Sequence, residues 1–221
     1  AALEALPAAS HPMDVMRTGV SALGCALPEK DDHNLPGSRD IADRLMASLG
    51  SMLLYWYHFS NSGRRIAVET EDDSIGGHFL HLLHGTPPPE GWVRAMHTSL
   101  NLYAEHEFNA STFTAIAAFS TATDLYSAIT AAVASLKGPR HGGANIKVME
   151  MMDDIRAHVS DVTDEDEMRA YIGKIVDKEA FDHKGLVYGM GHAVYSLSDP
   201  RAVVFKSFVQ QLAMAKGRKA D

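Results

Sequence analysis

Between Ser38 and Ser60 the chain places apolar residues at Ile41, Leu45, Leu49, Met52/Leu53 and Trp56. Steps of three and four residues keep such side chains on one side of a helix, whereas a half-buried strand needs strict alternation. The same helical period recurs over 72–85, 90–108, 111–137, 144–158, 164–180 and 199–215. No hairpin pattern and no internal repeat interrupts the series, so the fold class is all-α. Punctuation supports the division. Ser38 is a candidate N-cap with Asp40 in the first turn, and the polar stretch 27–37 ahead of it reads as a loop. Gly85 with the triple proline 87–89, and Gly138-Pro139, are helix stops. Asp199-Pro200 is an N-cap followed by proline at the first helical position. The Ala/Ile-rich helices across 111–137 are apolar on most faces, as buried central helices would be.

Composition removes several function classes. At 221 residues with a net charge of −8, the chain can bury a substantial core but offers no nucleic-acid surface. No apolar run approaches the roughly 20 residues of a bilayer span, and no signal-peptide pattern is present. The one cysteine, Cys25, forbids an intrachain disulfide and points to a reducing, cytoplasmic setting. The chain opens "AALEALP" without an initiator Met and stops at "AKGRKAD" directly after a helical pattern, which suggests an internal piece of something longer.

Twelve histidines are the unusual count. Three of them share a setting, a helix end or a glycine-rich turn: His106 in "AEHEFNAS", His141 in "GPRHGGAN" and His192 in "GMGHAVYSLSDPR". Glycine lets the backbone turn sharply and lets a ligand approach it closely. A histidine at a helix start, as His141 would be, feels the positive end of the dipole. That favours a neutral ring able to donate to a developing oxyanion. Arg201, nine residues after His192, offers a fork of donors for a carboxylate. Gly138, Gly142 and Gly143 would equally suit a helix C-cap and a close helix crossing, and His106 a hydrogen-bonded buried histidine. Three such corners together with Arg201 favour a site.

Other constellations carry less. His78, His81 and His84 follow at three-residue spacing, but the first and last lie about 240° apart on an ideal helix. They cannot share one metal, and neither an HExxH nor a CxxC pattern occurs, so no metal site is expected. Gly189-x-Gly191 is a fragment of a dinucleotide fingerprint without its third glycine or its strand. Met149, Met151 and Met152 read as core, and Asp164 to Glu167 as a solvated acidic helix start.

Four segments, in order, resemble motifs of the citrate synthase family: "PMDVMRTGVSALG" (12–24), "LYAEHEFNASTFTA" (102–115), "LKGPRHGGAN" (136–145) and "YGMGHAVYSLSDPRA" (188–202). The stretches "GSMLLYWYHFSNSGRRI", "DDSIGGHFLHLLHG" and "VRAMHTSLNLYAEHEFNAS" are most similar to its 2-methylcitrate synthase branch. The resemblance runs from about Pro12 to Leu212 and is weakest near 158–184. It implies part of a large helical domain over 1–143 and part of a smaller one over 144–221, while the Pro/Gly corner at 138–143, between the apolar helices and the more charged final third, marks a hinge. It implies condensation of propionyl-CoA or acetyl-CoA with oxaloacetate, in propionate metabolism or the tricarboxylic acid cycle, by a homodimer whose interface the helices of 111–137 would suit.

By matching motif, His106 and His192 would hold oxaloacetate with Arg201 on one carboxylate. His141 would donate to the thioester oxygen of acyl-CoA. His192 would polarise the ketone and protonate the new alkoxide, and Gly189 and Gly191 would lie near CoA. Acyl-CoA is a substrate, and no cofactor is implied. Two departures stand out. The family's proton-abstracting aspartate belongs to an Asp-x-aromatic-small-Gly motif that does not occur between Arg201 and Asp221. Ile116 stands where the family usually has arginine. The alternatives are plain citrate synthase, or an inactive helical module that only binds CoA, oxaloacetate or a partner subunit.

Overall fold

A computed structural model describes residues 1–30, 35–104, 107–192 and 195–217. Among these residues all regular structure is helical. After a short 3-10 turn at Leu3–Ala5 come α1 (Pro12–Ala26), α2 (Leu35–Ser62), α3 (Ile75–His84), α4 (Glu90–Tyr103), α5 (Ala110–Phe119), α6 (Leu125–Leu136), α7 (Ala144–His158), α8 (Glu165–Val176) and α9 (Pro200–Ala215). The chain divides into two compact units, Ala1–Lys137 and Gly138–Asp221.

In the first unit α1 packs on α2 and α6, α5 packs on α6, and α3 lies between α2 and α4. Val20, Ile41, Leu45 and Tyr126 form its core, with Leu23, Leu49, Leu125 and Ile129 around them. Tyr126 keeps its hydroxyl satisfied by accepting from Arg44 Nη1 at 2.7 Å, as a buried phenol must. Lys137 Nζ, at the end of α6, reaches Asp14 Oδ2 in the first turn of α1 at 2.6 Å. Capping follows the local sequence. Ser74, Asn109 and Asp124 accept from the first-turn N–H groups of α3, α5 and α6, and Gly85 closes α3 in the left-handed conformation at φ 74°.

Three expectations change. Helix α2 begins at Leu35, not at Ser38, because a proline is tolerated within a first helical turn and does not force a loop there. Helix α4 stops at Tyr103, and Glu107 beyond it takes φ 54°, so the helix does not run to 108. Of the Ala/Ile-rich pair, α6 buries Tyr126 and Ala128, but α5 has no fully buried residue, and its Phe113 and Ile116 are 66% and 51% exposed.

In the second unit α7 and α8 build a small core from Met151, Ile155, Val159, Tyr171 and Ile175. Of the methionine cluster only Met151 is core, while Met149 and Met152 are exposed. The Tyr171 hydroxyl donates to Asp154 Oδ2 at 2.8 Å, and burial followed by that bond pushes its pKa up to about 12. Phe181, Val187 and Tyr188, from the irregular segment after α8, pack against this core. Asp164 caps α8 and Asp199 caps α9, where Pro200 is the first helical residue.

Candidate active site

His141 sits in the turn between α6 and α7, half-buried, with its backbone N–H donating to Gly138 O at 2.9 Å. Gly142 N–H donates to the same carbonyl at 3.1 Å. Gly143 is the N-cap of α7 and offers no side-chain cap. A Cβ on Gly143 would stand 2.8 Å from Pro139 O and 2.9 Å from Pro139 Cα. Only glycine therefore lets the turn fold back on itself, and this places His141 just ahead of the positive end of α7.

One turn into α7, Val148 lies under the second glycine corner. A Cβ on Gly189 would meet Val148 Cγ2 at 3.0 Å. Gly189 and Gly191 both hold φ 85°, a region closed in practice to other residues. The chain then presents His192, exposed, whose ring centroid lies 5.0 Å from that of Tyr195. The guanidinium carbon of Arg201 sits 5.6 Å from the centroid of the same Tyr195 ring. One phenol thus borders both residues expected to meet oxaloacetate, giving Arg201 a cation–π contact.

Asp199 completes the cluster. Its Oδ1 caps α9 by accepting from Arg201 N at 2.9 Å. The same carboxylate grips the Arg201 side chain, with Nε to Oδ1 at 3.0 Å and Nη2 to Oδ2 at 2.7 Å. The Arg201 hydrogen bonds hold the Asp199 pKa down to about 2, helped by the nearby charge of His192. A planar guanidinium gripped by a carboxylate is held in a fixed orientation.

Of the residues singled out from sequence, His192 and Arg201 are brought together through Tyr195, and Gly189 through Val148 with the head of α7. His106 lies outside the described residues. Tyr195 was not singled out, because nothing about its spacing from His192 or Arg201 marks a contact in an irregular segment. From sequence Asp199 is a cap alone. The acid-then-arginine run Asp199-Pro200-Arg201 was the available signal for its second role.

The whole chain, residues 1–221, matches the family model described as citrate synthase, C-terminal domain. The chain belongs to the citrate synthase family. It is 48% identical over 97% of its length to a 2-methylcitrate synthase of Shewanella oneidensis, covering 53% of that protein. It is 37% identical over 96% of its length to a citrate synthase of Deinococcus radiodurans, again covering 53%. Its fold superposes with a TM-score of 0.78 at 29% identity on a Thermoplasma acidophilum citrate synthase, a ternary complex with carboxymethyl coenzyme A and oxaloacetate. That match covers 98% of this chain and 53% of the other. The chain thus spans about half the length of the relatives it matches.

The three histidines of α3 have structural partners. His78 Nε2 lies 2.8 Å from Ser51 Oγ, His81 Nδ1 lies 2.7 Å from Asp72 Oδ2, and the His84 ring meets Trp92 edge-on. Among the described residues no group of three or more His, Cys, Asp or Glu side chains could hold a metal ion. No helix among them is long and apolar enough to cross a membrane.

Proposed function

We propose that the protein condenses an acyl-CoA, propionyl-CoA ahead of acetyl-CoA, with oxaloacetate and water to give 2-methylcitrate (or citrate) and free CoA. The observation that carries this reading is the cluster of His192, Tyr195, Asp199 and Arg201. It sets a fixed guanidinium beside an exposed imidazole, the pair needed for a ligand with a carboxylate next to a ketone.

In this reading Arg201 receives one carboxylate of oxaloacetate, and His192 donates to its ketone, with His106 as a further contact. His141 donates to the thioester oxygen, stabilising the enol(ate) formed when the α-carbon loses a proton to a carboxylate base, which none of these residues supplies. That carbon attacks the ketone, the C–C bond forms, and His192 gives its proton to the resulting alkoxide. Water then cleaves the thioester and CoA leaves as the thiol. The turn at Gly189 and Gly191 is where CoA would pass, since backbone without side chains allows close approach. No cofactor enters these steps.

The same reading assigns residues 1–143 to a large domain and 144–221 to part of a small one, and makes the protein a cytoplasmic homodimer. The exposed apolar residues Phe113, Ile116 and Phe119 of α5 suit a helical dimer interface. Ile116, where the family usually has arginine, then contributes apolar area.

The test is calorimetric titration of oxaloacetate into the wild type and Arg201→Lys, followed by CoA-thiol release with each acyl-CoA. Saturable binding that weakens at least tenfold in Arg201→Lys supports the site. Equal binding in both proteins, or no binding, refutes it. Acetyl-CoA released faster than propionyl-CoA would move the protein to the citrate synthase side. One methylene is worth only about 1–3 kcal/mol, so both substrates are expected to react.

A further inference from the structure

Residues 64–70, which link α2 to α3, border a cavity of about 300 Å³ lined by Arg64, Arg65, Glu69, Thr70, His81 and the end of α3. None of these residues belongs to the substrate site. We propose that this cavity binds a small oxyanion, a phosphate or a carboxylate, between Arg64 and His81.

Each of the two donors is braced from behind. His58 Nε2 lies 2.8 Å from Leu82 O, and a carbonyl only accepts, so Nε2 carries the proton. His58 Nδ1 is then an acceptor, and Arg64 Nη2 donates to it at 3.1 Å. This fixes the guanidinium and leaves Nε and Nη1 without a partner among the described residues. On the other side, His81 Nδ1 is held by Asp72 Oδ2 at 2.7 Å. Asp72 is not a lining residue, so Nε2 is the His81 nitrogen left to face a ligand.

The brace behind His81 extends further. Asp72 N–H donates to Thr70 Oγ1 at 3.4 Å, and the Thr70 side chain helps hold the Asp72 carboxyl below its ordinary range. Thr70 Oγ1 lies 2.9 Å from His78 Nδ1, and His78 Nε2 lies 2.8 Å from Ser51 Oγ on α2. Polar contacts thus run from Ser51 to His81 and hold these side chains in place.

Local charge also favours an anion. Arg65 is already neutralised by Glu4 through two hydrogen bonds of 2.8 and 3.0 Å. Arg64 then faces one lining carboxylate, Glu69, which is exposed, and His81 adds a donor at Nε2 when its ring carries both protons. The carbonyl end of α3 would oppose an anion, but two of its carbonyls are covered. Leu82 O accepts from His58, and His81 O accepts from Gly85 N–H at 2.7 Å. Charge-assisted bonds from a prefixed fork and imidazole make a site for a group with two or more oxygens.

The experiment is NMR of the protein labelled with 15N-histidine, titrated at constant pH and ionic strength with inorganic phosphate and, separately, with acetate. The His81 ring signals are followed in the wild type, Arg64→Gln and the surface control Arg94→Gln. Expected is a saturable His81 shift in the millimolar range with at least one of the two anions. It should weaken about tenfold or more in Arg64→Gln and stay unchanged in Arg94→Gln. Arg64 is exposed, so its replacement leaves the fold intact, which the other histidine signals report. A shift that does not saturate with either anion, or equal weakening in both variants, overturns the proposal.

Discussion

Replacing Gly76 by alanine tests the packing that sets α3 against α4. A Cβ at position 76 would lie 2.9 Å from His97 N, 3.2 Å from His97 Cα and 3.4 Å from Met96 C. All three are backbone atoms of α4, so no side chain can rotate away. Restoring ordinary contact requires the two helices to part by about half an ångström, and overpacking of this kind costs about 1–3 kcal/mol. Alanine regains at most about 1 kcal/mol of helix propensity, so at the middle of that range the net loss is about 1 kcal/mol, and about 2 kcal/mol at its upper end. Gly19→Ala in α1 is the matched control. There the new Cβ would meet Met52 Sδ at 2.7 Å, the far end of a flexible side chain that can move. Its propensity gain survives, so it is expected to be neutral or stabilising by up to about 1 kcal/mol. Both tryptophans, Trp56 and Trp92, lie in the first unit, so urea unfolding followed by tryptophan fluorescence reads that unit alone. Equal midpoints for wild type and Gly76→Ala, or equal losses in both variants, would refute the reasoning.

Ile175 is 1% exposed in the small core of the second unit, and Ile175→Ala should destabilise that unit by about 2–5 kcal/mol. Hydrogen exchange at α7 and α8 should speed up while the first unit keeps its tryptophan transition. Asp199 has a pKa lowered from 3.8 to about 2, so its contribution to the start of α9 is complete above the unfolded value. It is lost only as pH falls through about 2. Helicity of α9 should therefore hold from pH 8 to 5 and decline in strong acid, whereas Asp199→Asn should flatten that decline. Tyr195→Phe keeps the ring beside His192 and Arg201 and should bind oxaloacetate like the wild type. Tyr195→Ala should bind more weakly by calorimetry, and equal binding by the two variants would remove Tyr195 from the site.

Local signals were the legible part of the fold. Helix α9 begins where Asp199-Pro200 puts it, because a capping carboxylate and a fixed φ act on adjacent residues. Gly85 ends α3 for the same reason of reach. What failed depended on distance. The polar run before α2 looked like loop by composition, yet the helix already begins at Leu35. The apolar faces of α5 announced that something covers them but not what, and Phe113 and Ile116 lie open in this chain. The candidate site divides the same way. The glycine corners at 141–143 and 189–191 were readable because their backbone demands are local. The contact of Tyr195 with both His192 and Arg201 was not, since an irregular segment has no period from which to compute a neighbour.

The histidines stand in two kinds of setting, helices and glycine turns. His78 and His81 stand on α3, and His58 on α2, where helix geometry brings fixed partners within reach. Each ring there is held by a hydroxyl, a carbonyl or a carboxylate. His158 likewise bonds Asp154 O and stacks on Tyr171. His141 and His192 instead follow or precede glycines in turns, where the backbone direction is set by positive φ or by contact with Pro139. In the proposed function these two rings meet the substrates, and the glycine turns fix the backbone that carries them. Replacing Gly143 by alanine tests the idea, because it leaves the His141 ring unchanged and pushes its turn off Pro139 O at 2.8 Å. Thiol release should fall while oxaloacetate binding at Arg201 persists. A variant with full activity would show that the turn tolerates the shift and that His141 is not held by it.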